Sequence, residues 1–127
     1  MRIINFLNLK GGVAKTFSVA NIGYELWCRG YKVLLWDNDK QGNLSQSYGR
    51  YDAESIAPVR KILRGDWYNF EEVIQSTDYE GMDILTANMS MFETVWNLMR
   101  ESGPEIAEKY QRFLESQIDG KTLSCNV

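Results

Sequence analysis

The sequence predicts an α/β fold in which a mostly parallel sheet is flanked by helices. Two apolar stretches, residues 3–9 and 31–37, are rich in aliphatic and β-branched side chains, and a glycine pair and a helical pattern separate them. A strand, a glycine loop, a helix and a second strand in this order form a βαβ unit with parallel strands. Nearly continuous apolar strands are typical of a parallel sheet that is covered on both faces. We therefore expect residues 3–9 to form a buried strand.

The first helix is predicted from Lys15 to about Cys28, because apolar residues recur there at helical spacing. Gly30 is expected to end this helix as the residue that adopts a left-handed conformation. Residues 38–50 are polar and are expected to form a loop or irregular structure.

The rest of the chain is expected to alternate helices with a third strand. A short helix should end at Gly65, and Asn69 with Glu72 resembles a capping box that opens a helix through Ile74. A third strand is predicted over 81–87 and a helix over 91–99. A last helix should follow Gly103 and Pro104, with these apolar residues on one side: Ile106, Tyr110, Phe113 and Leu114. The tail from residue 119 is ambiguous.

Length and composition limit the classes of function. The chain has 127 residues and no linker-like stretch, which predicts a single domain over residues 1–127. Its net charge of −3 provides no overall attraction to nucleic acid or to an anionic membrane. The lack of histidine excludes Ser–His and Cys–His catalysis. Two separated cysteines and the absence of a signal peptide or a transmembrane run predict a cytoplasmic protein without a membrane partner.

Residues 8–17, "NLKGGVAKTF", carry the strongest chemical signal in the chain. A phosphate-binding loop needs flexible backbone, a helix N-terminus behind it and a lysine for the outer phosphates, and a following hydroxyl can bind Mg²⁺. Gly11 and Gly12 provide the backbone freedom, and Lys15 and Thr16 fall at the junction of strand and helix. The standard pattern GxxxxGK[ST] would require glycine at 9 and 14, so the literal motif is absent.

The segment from Lys10 to Thr16 instead resembles KGGxGK[ST], the deviant phosphate loop of the ParA/MinD family of partition and positioning ATPases. It departs from that pattern at Ala14. Residues 33–46 resemble the family segment VLLxDxDPQGN, with Lys40 where proline is usual. The resemblance covers about residues 1–100. It implies a P-loop NTPase-like fold that binds ATP with Mg²⁺.

The family's site residues can be transferred to the matching positions. The resemblance implies that Lys15 contacts the β- and γ-phosphates, while Thr16 and Asp37 hold Mg²⁺. It also implies that Lys10 reaches the nucleotide of a partner subunit and that Asp39 orients the attacking water. The catalytic residues would then be Lys10, Lys15 and Asp39. The loop residues that bind the nucleotide would be Gly11, Gly12, Val13, Ala14, Lys15, Thr16 and Phe17.

The partners implied by the resemblance are a second copy of the chain and a ParB-like protein. The family forms nucleotide-dependent dimers in plasmid or chromosome partition. DNA binding is not supported by this portion of the chain, because the family's basic DNA-binding surface lies in later residues.

Other interpretations of the same residues remain open. The glycine pair could form a plain turn, and Asp37 and Asp39 could be two solvated carboxylates at the end of a strand. A true phosphate loop could also have lost hydrolysis, because Ala14 would be strained if its position requires a positive φ. The alternative function is a non-catalytic P-loop interaction module or an inactive fragment that acts only through self-association.

Members of the resembled family are longer than this chain. No segment here matches their strand of the type YDxxIIDxPP, so we expect a truncated N-terminal portion and an incomplete sheet. The gap could be closed by direct pairing of the first two strands, by the C-terminal tail or by a second copy. An oligomer or a rearranged sheet is favoured over an open monomer.

Overall fold

The computed structural model describes residues 2–7, 12–98, 100, 103–116 and 123–126. Five strands form one sheet in the order β1-β5-β2-β4-β3, parallel except for β3. The strands are β1 Ile3–Asn5, β2 Val33–Trp36, β3 Gln75–Ser76, β4 Met82–Leu85 and β5 Leu123–Asn126. The helices are α1 Lys15–Cys28, α2 Asn43–Ser47, α3 Pro58–Arg64, α4 Met91–Leu98 and α5 Gly103–Glu115. This architecture confirms the predicted α/β class with a mostly parallel sheet.

Helices cover both faces of the sheet, as the apolar strands require. Along β2, successive side chains point to opposite faces. Leu34 belongs to the core that includes Phe113 of α5, and Leu35 belongs to the core that includes Val19 of α1. All four residues of β2 are therefore buried, which explains its uninterrupted apolar sequence.

The tail supplies a central strand that the sequence left ambiguous. β5 lies between β1 and β2 and runs parallel to both, with Cys125 opposite Ile4 on one side and Leu35 on the other. The gap between the first two strands is thus closed by the C-terminal tail, which was one of the three alternatives. The short sequence of β5 has no periodicity that could distinguish it from a loop.

The prediction that residues 3–9 form a buried strand is wrong for the described part. β1 has three residues, and Ile3 and Ile4 are 42% and 37% exposed. The reason is position: β1 lies at an edge, with one described strand beside it. Residues 8 and 9 lie outside the described part of the chain.

Two helix ends agree with the prediction. After α1, Gly30 has φ +83°, and its N–H donates to the carbonyl of Trp27 over 2.8 Å. The N–H of Tyr31 donates to the carbonyl of Leu26, which completes a Schellman motif. Gly65, with φ +75°, ends α3.

Two local predictions are corrected. Residues 43–47 form α2 where a loop was expected, because this segment has a buried leucine, Leu44, that packs against the α1 core. The expected helix through Ile74 is a single 3₁₀ turn, Phe70–Glu72. The Asn69 side chain does cap this turn by accepting from the N–H of Glu72. A capping box would also have the Glu72 carboxylate accept from the N–H of Asn69, but it accepts from the N–H of Tyr68 instead. The chain then becomes extended to form β3.

Candidate functional site

The junction between the glycine loop and α1 has left-handed backbone at two described positions. Gly12 has φ +72° and Ala14 has φ +58°. Ala14 is the residue that precedes α1, and its carbonyl accepts the first helical hydrogen bond, from the N–H of Ser18 over 2.9 Å. Ala14, the departure from the family's loop pattern, therefore occupies a conformation that favours glycine. Lys10 and Gly11 lie outside the described residues.

The first turn of α1 presents the lysine and the hydroxyl that the sequence singled out. Lys15 and Thr16 are half-buried, whereas Phe17 is 70% exposed and Val13 is also exposed. No acidic residue lies in this turn, and no described side chain caps it. Lys15 forms no ion pair with another described residue. Free N–H groups and the positive end of the helix dipole favour an anion here.

Asp37 is buried at the end of β2, with 1% of its surface exposed. Its Oδ2 accepts from the N–H of Ser45 over 2.9 Å and from the Ser45 hydroxyl over 2.7 Å, and its Oδ1 accepts from the N–H of Asp39 over 3.2 Å. Burial raises the pKa of Asp37, and the hydrogen bonds from Ser45 oppose that rise. Three of about four acceptor positions on the carboxylate are used, so it is firmly oriented.

Ser45 is a site residue that the sequence prediction missed. Its hydroxyl donates to Asp37 and accepts from the N–H of Ala87 over 3.0 Å. The serine therefore joins the ends of β2 and β4 through one buried oxygen. A loop was expected over residues 38–50, and a serine in a polar loop gives no sign of burial. Ser45 reaches Asp37 because α2 positions it.

Asp39 lies in a tight turn between β2 and α2. Its Oδ1 accepts from the N–H of Gln41 over 3.0 Å, and its carbonyl accepts from the N–H of Gly42 over 2.8 Å. Gly42 has φ +63°, and a Cβ there would lie 2.6 Å from the carbonyl oxygen of Ala87 and from the ring of Tyr51. Glycine is thus required at this position by both conformation and space.

Two further contacts hold the segment after β2 against helices. The Tyr110 hydroxyl of α5 donates to Asn38 Oδ1 over 2.8 Å, and burial raises the pKa of Tyr110 to about 12. The Lys40 ammonium lies 4.5 Å from the centre of the Phe92 ring of α4. Lys40 replaces the family's proline, so this cation–π contact restrains the turn by a different means.

The topology brings the two parts of the candidate site to the carboxyl-terminal end of the parallel strands. β1, β5 and β2 are parallel, so the loop after β1 and the aspartates after β2 both follow carboxyl ends of strands. Open α/β sheets bind their ligands at this edge. Within the described ranges no group of three or more metal-ligating side chains occurs. A hydroxyl, a carboxylate and phosphate oxygens still suit Mg²⁺, which takes few protein ligands.

A mostly parallel sheet with a phosphate-type loop opening α1 and aspartates after β2 defines a domain of the P-loop NTPase class. A family model described as an AAA domain matches residues 1–119, and the chain belongs to that family. Its relatives assign it to the ParA/MinD group. It is 31% identical over 91 residues to the chromosome partitioning protein ParA of Caulobacter vibrioides and 36% identical over 90 residues to the sporulation initiation inhibitor protein Soj of Bacillus subtilis.

Solved structures agree with this assignment. The cobyrinic acid a,c-diamide synthase of Mycobacterium smegmatis, crystallised with an ATP analogue and magnesium, superposes with a TM-score of 0.81 at 33% identity over 98% of this chain. The cell division ATPase MinD of Pyrococcus furiosus has a TM-score of 0.69 at 25% identity over 98% of this chain.

The chain spans about a third of the length of these curated relatives and half of these solved structures. The matches cover 72% and 71% of this chain but 34% of ParA and 35% of Soj. The structural matches cover 50% of the synthase and 48% of MinD. None of the described helices is long and apolar enough to cross a bilayer.

Proposed function

We propose that this chain is a single ParA-type domain over residues 1–127 that binds ATP with Mg²⁺ at the loop of residues 10–17. The observation that carries the proposal is the common sheet edge, where the half-buried Lys15 and Thr16 begin α1 and the buried Asp37 ends β2. The magnesium and nucleotide in solved neighbours such as the synthase support it.

Each residue has a proposed role in binding. Lys15 neutralises the outer phosphates, and the N–H groups of residues 12–17 donate to phosphate oxygens. Thr16 contributes its hydroxyl to Mg²⁺, and Asp37 orients the water shell of the ion. When bound, Mg²⁺ neutralises charge on the phosphates. Ser45 holds Asp37 in place for this role, since it donates two hydrogen bonds to one carboxylate oxygen.

For hydrolysis, Asp39 is proposed to orient the attacking water. Its carboxylate already accepts one hydrogen bond in the turn, from Gln41, and is only partly buried, so acceptor positions remain for water. Lys10 is proposed to approach the nucleotide of a second copy and stabilise developing charge, as an arginine finger does. In this proposal the chain forms a nucleotide-dependent dimer, acts in plasmid or chromosome partition and has a ParB-like partner. The similarity to the chromosome partitioning protein ParA supports the partition role in this proposal.

A second candidate function is a P-loop module that binds nucleotide without hydrolysing it. The observation in its favour is the backbone of Ala14, which has φ +58°. A non-glycine residue is strained in this conformation, and that strain opposes the loop geometry that hydrolysis requires around the phosphates. Multiple-turnover phosphate release separates the two candidates. Release that depends on Asp39 supports the ATPase, while tight binding without release supports the module.

The binding proposal is tested by titration of a fluorescent ATP analogue in Mg²⁺. We expect Lys15→Ala to weaken affinity by about tenfold or more, which is the loss of one charge-assisted contact of roughly 1.4–3 kcal/mol. The matched control is Lys32→Ala. Lys32 is exposed just before β2 and so lies at the amino-terminal end of the parallel strands, away from the candidate site. Equal affinity of both variants and the unchanged chain would refute the nucleotide site.

A further inference from the structure

The residues on either side of Asp39 are each held by a different helix. Asn38 accepts a hydrogen bond from the Tyr110 hydroxyl of α5 over 2.8 Å. The Lys40 ammonium lies 4.5 Å from the centre of the Phe92 ring of α4. Asp39 therefore lies between two side chains that are anchored to helices on one face of the sheet.

The contact with Phe92 holds the Lys40 ammonium away from the adjacent carboxylate. Lys40 directly follows Asp39, and an unrestrained ammonium so close to a carboxylate would be attracted to it. Lys40 nevertheless forms no ion pair with any described carboxylate, Asp37 and Asp39 included. The Asp39 carboxylate keeps one described donor, the N–H of Gln41, and its other acceptor positions are left for water.

Burial does not account for an aromatic ring at position 92. The apolar contacts of α4 with the core come from Met91 and Val95, whereas Phe92 is 53% exposed. A cation–π contact forms at the surface without taking the ammonium out of water, so it suits a ring in this position. The function of the Phe92 ring is therefore better explained by the cation that it binds.

We propose that Phe92 is a positioning residue for Asp39, which acts by holding the Lys40 ammonium on α4 and away from the Asp39 carboxylate. Tyr110 anchors the other side of the same segment through Asn38. This inference rests on the proposed role of Asp39 in hydrolysis and assigns part of the control over that residue to α4. Without the ring, the ammonium is free to pair with Asp39 and to occupy the acceptor positions that the attacking water needs.

The turn that contains Lys40 offers a background in which the proposal can be tested. Residues 39–42 form a β-turn, because the N–H of Gly42 donates to the carbonyl of Asp39 over 2.8 Å. Lys40 is the second residue of this turn, where proline is favoured, and proline is the residue usual there in the family. Within the described part of the chain, no hydrogen bond is donated by the N–H of Lys40. Lys40→Pro therefore preserves the turn and removes the cation.

The first measurement needs no nucleotide. In NMR spectra, the Phe92 ring should shift the protons next to Lys40 Nζ upfield, and Phe92→Leu should abolish that shift. Phe92→Leu should also make hydrogen exchange of the Gln41 N–H about two- to fivefold faster, which corresponds to the loss of one exposed cation–π contact. The matched control is Trp96→Leu, one turn further along α4 and also exposed, which should change neither signal. Circular dichroism checks that the variants fold.

The second measurement is phosphate release with Mg-ATP. Phe92→Leu should lower kcat by about two- to fivefold and leave KM nearly unchanged, because Asp39 acts on the water and not on nucleotide binding. Added to Lys40→Pro, the same substitution should be silent in both kcat and the exchange of the Gln41 N–H. A purely structural role of Phe92 predicts the same loss in both backgrounds.

Two results would overturn the proposal. One is Phe92→Leu with unchanged Lys40 signals and unchanged exchange of the Gln41 N–H. The other is an equal effect of Phe92→Leu in the Lys40 and Lys40→Pro backgrounds. An unmodified chain that releases no phosphate would contradict the ATPase proposal instead, and the exchange measurement then decides by itself whether Phe92 holds the turn through Lys40.

Discussion

Replacing Ala14 with glycine should stabilise the protein. Ala14 has φ +58° and ψ +23°, a left-handed conformation that costs a non-glycine residue about 1–2 kcal/mol. Glycine removes that cost but adds about 0.4–1 kcal/mol of unfolded-state entropy. Ala14 is exposed, so no packing is lost. The expected net gain is about 0.5–1 kcal/mol in the free energy of unfolding, which for a chain of this length raises Tm by about 2–5 °C.

The assay is urea and thermal unfolding of Ala14→Gly beside Ala20→Gly. Ala20 lies inside α1, where the same substitution should destabilise by about 0.5–1 kcal/mol because glycine is a poor helix former. Opposite signs for one chemical change in two places would confirm that backbone strain is the cause. If Ala14→Gly lowered the free energy of unfolding as much as Ala20→Gly, the strain argument would be refuted.

Three further outcomes are expected around the second half of the site. Gly42→Ala should lower the free energy of unfolding by more than about 2 kcal/mol. Gly49→Ala should lower it by only about 1 kcal/mol, because Gly49 has the same φ of +63° but open space for a Cβ. Equal losses in urea unfolding would show that the close contacts at Gly42 add no cost. Ser45→Ala should cost about 1–3 kcal/mol, because the buried N–H of Ala87 loses its acceptor and Asp37 Oδ2 loses one of its two donors. Ser47→Ala on the exposed side of α2 should be nearly neutral in the same assay. Since burial raises the folded-state pKa of Asp37, its contribution to stability should be fully present below its unfolded pKa and be lost as pH rises through the folded value. Asp37→Asn should remove that component from a plot of unfolding free energy against pH, and identical slopes would contradict the assigned shift.

The sequence predicted the class of fold because its signals are local. The helix spacing of α1 and the apolar run of β2 each lie within one segment, and Gly30 and Gly65 mark helix ends by their own conformational freedom. These features depend on neighbours along the chain, so a single sequence reveals them.

The missed features depend on contacts between distant segments. A buried strand was expected at residues 3–9, but the described part of that segment has an exposed strand, β1, at the edge of the sheet, because burial of β1 depends on which strands lie beside it. β5 becomes a strand through pairing with partners about 90 and 120 residues earlier. The Lys40 contact with Phe92 likewise has no local pattern.

The candidate site was predicted in part for the same reason. The motif positions of Lys15, Thr16, Asp37 and Asp39 were recognisable, and topology places their two segments at one sheet edge. The support that Ser45 gives to Asp37 was not recognisable, because it requires α2 and the N–H of Ala87 from β4's end. Their roles in nucleotide binding remain predictions.

The most direct test of the nucleotide site is an amide NMR titration of the ¹⁵N-labelled chain with Mg-ATP. We expect the largest shifts at residues 12–17 and 37–39, because phosphate would contact the first turn of α1 and the ion would approach Asp37. Residues 78–81 precede β4 and so lie at the amino-terminal end of the parallel strands. They serve as an internal reference, and their amide signals should not shift. Shifts centred elsewhere, or none at saturating Mg-ATP, would contradict a nucleotide site at this loop.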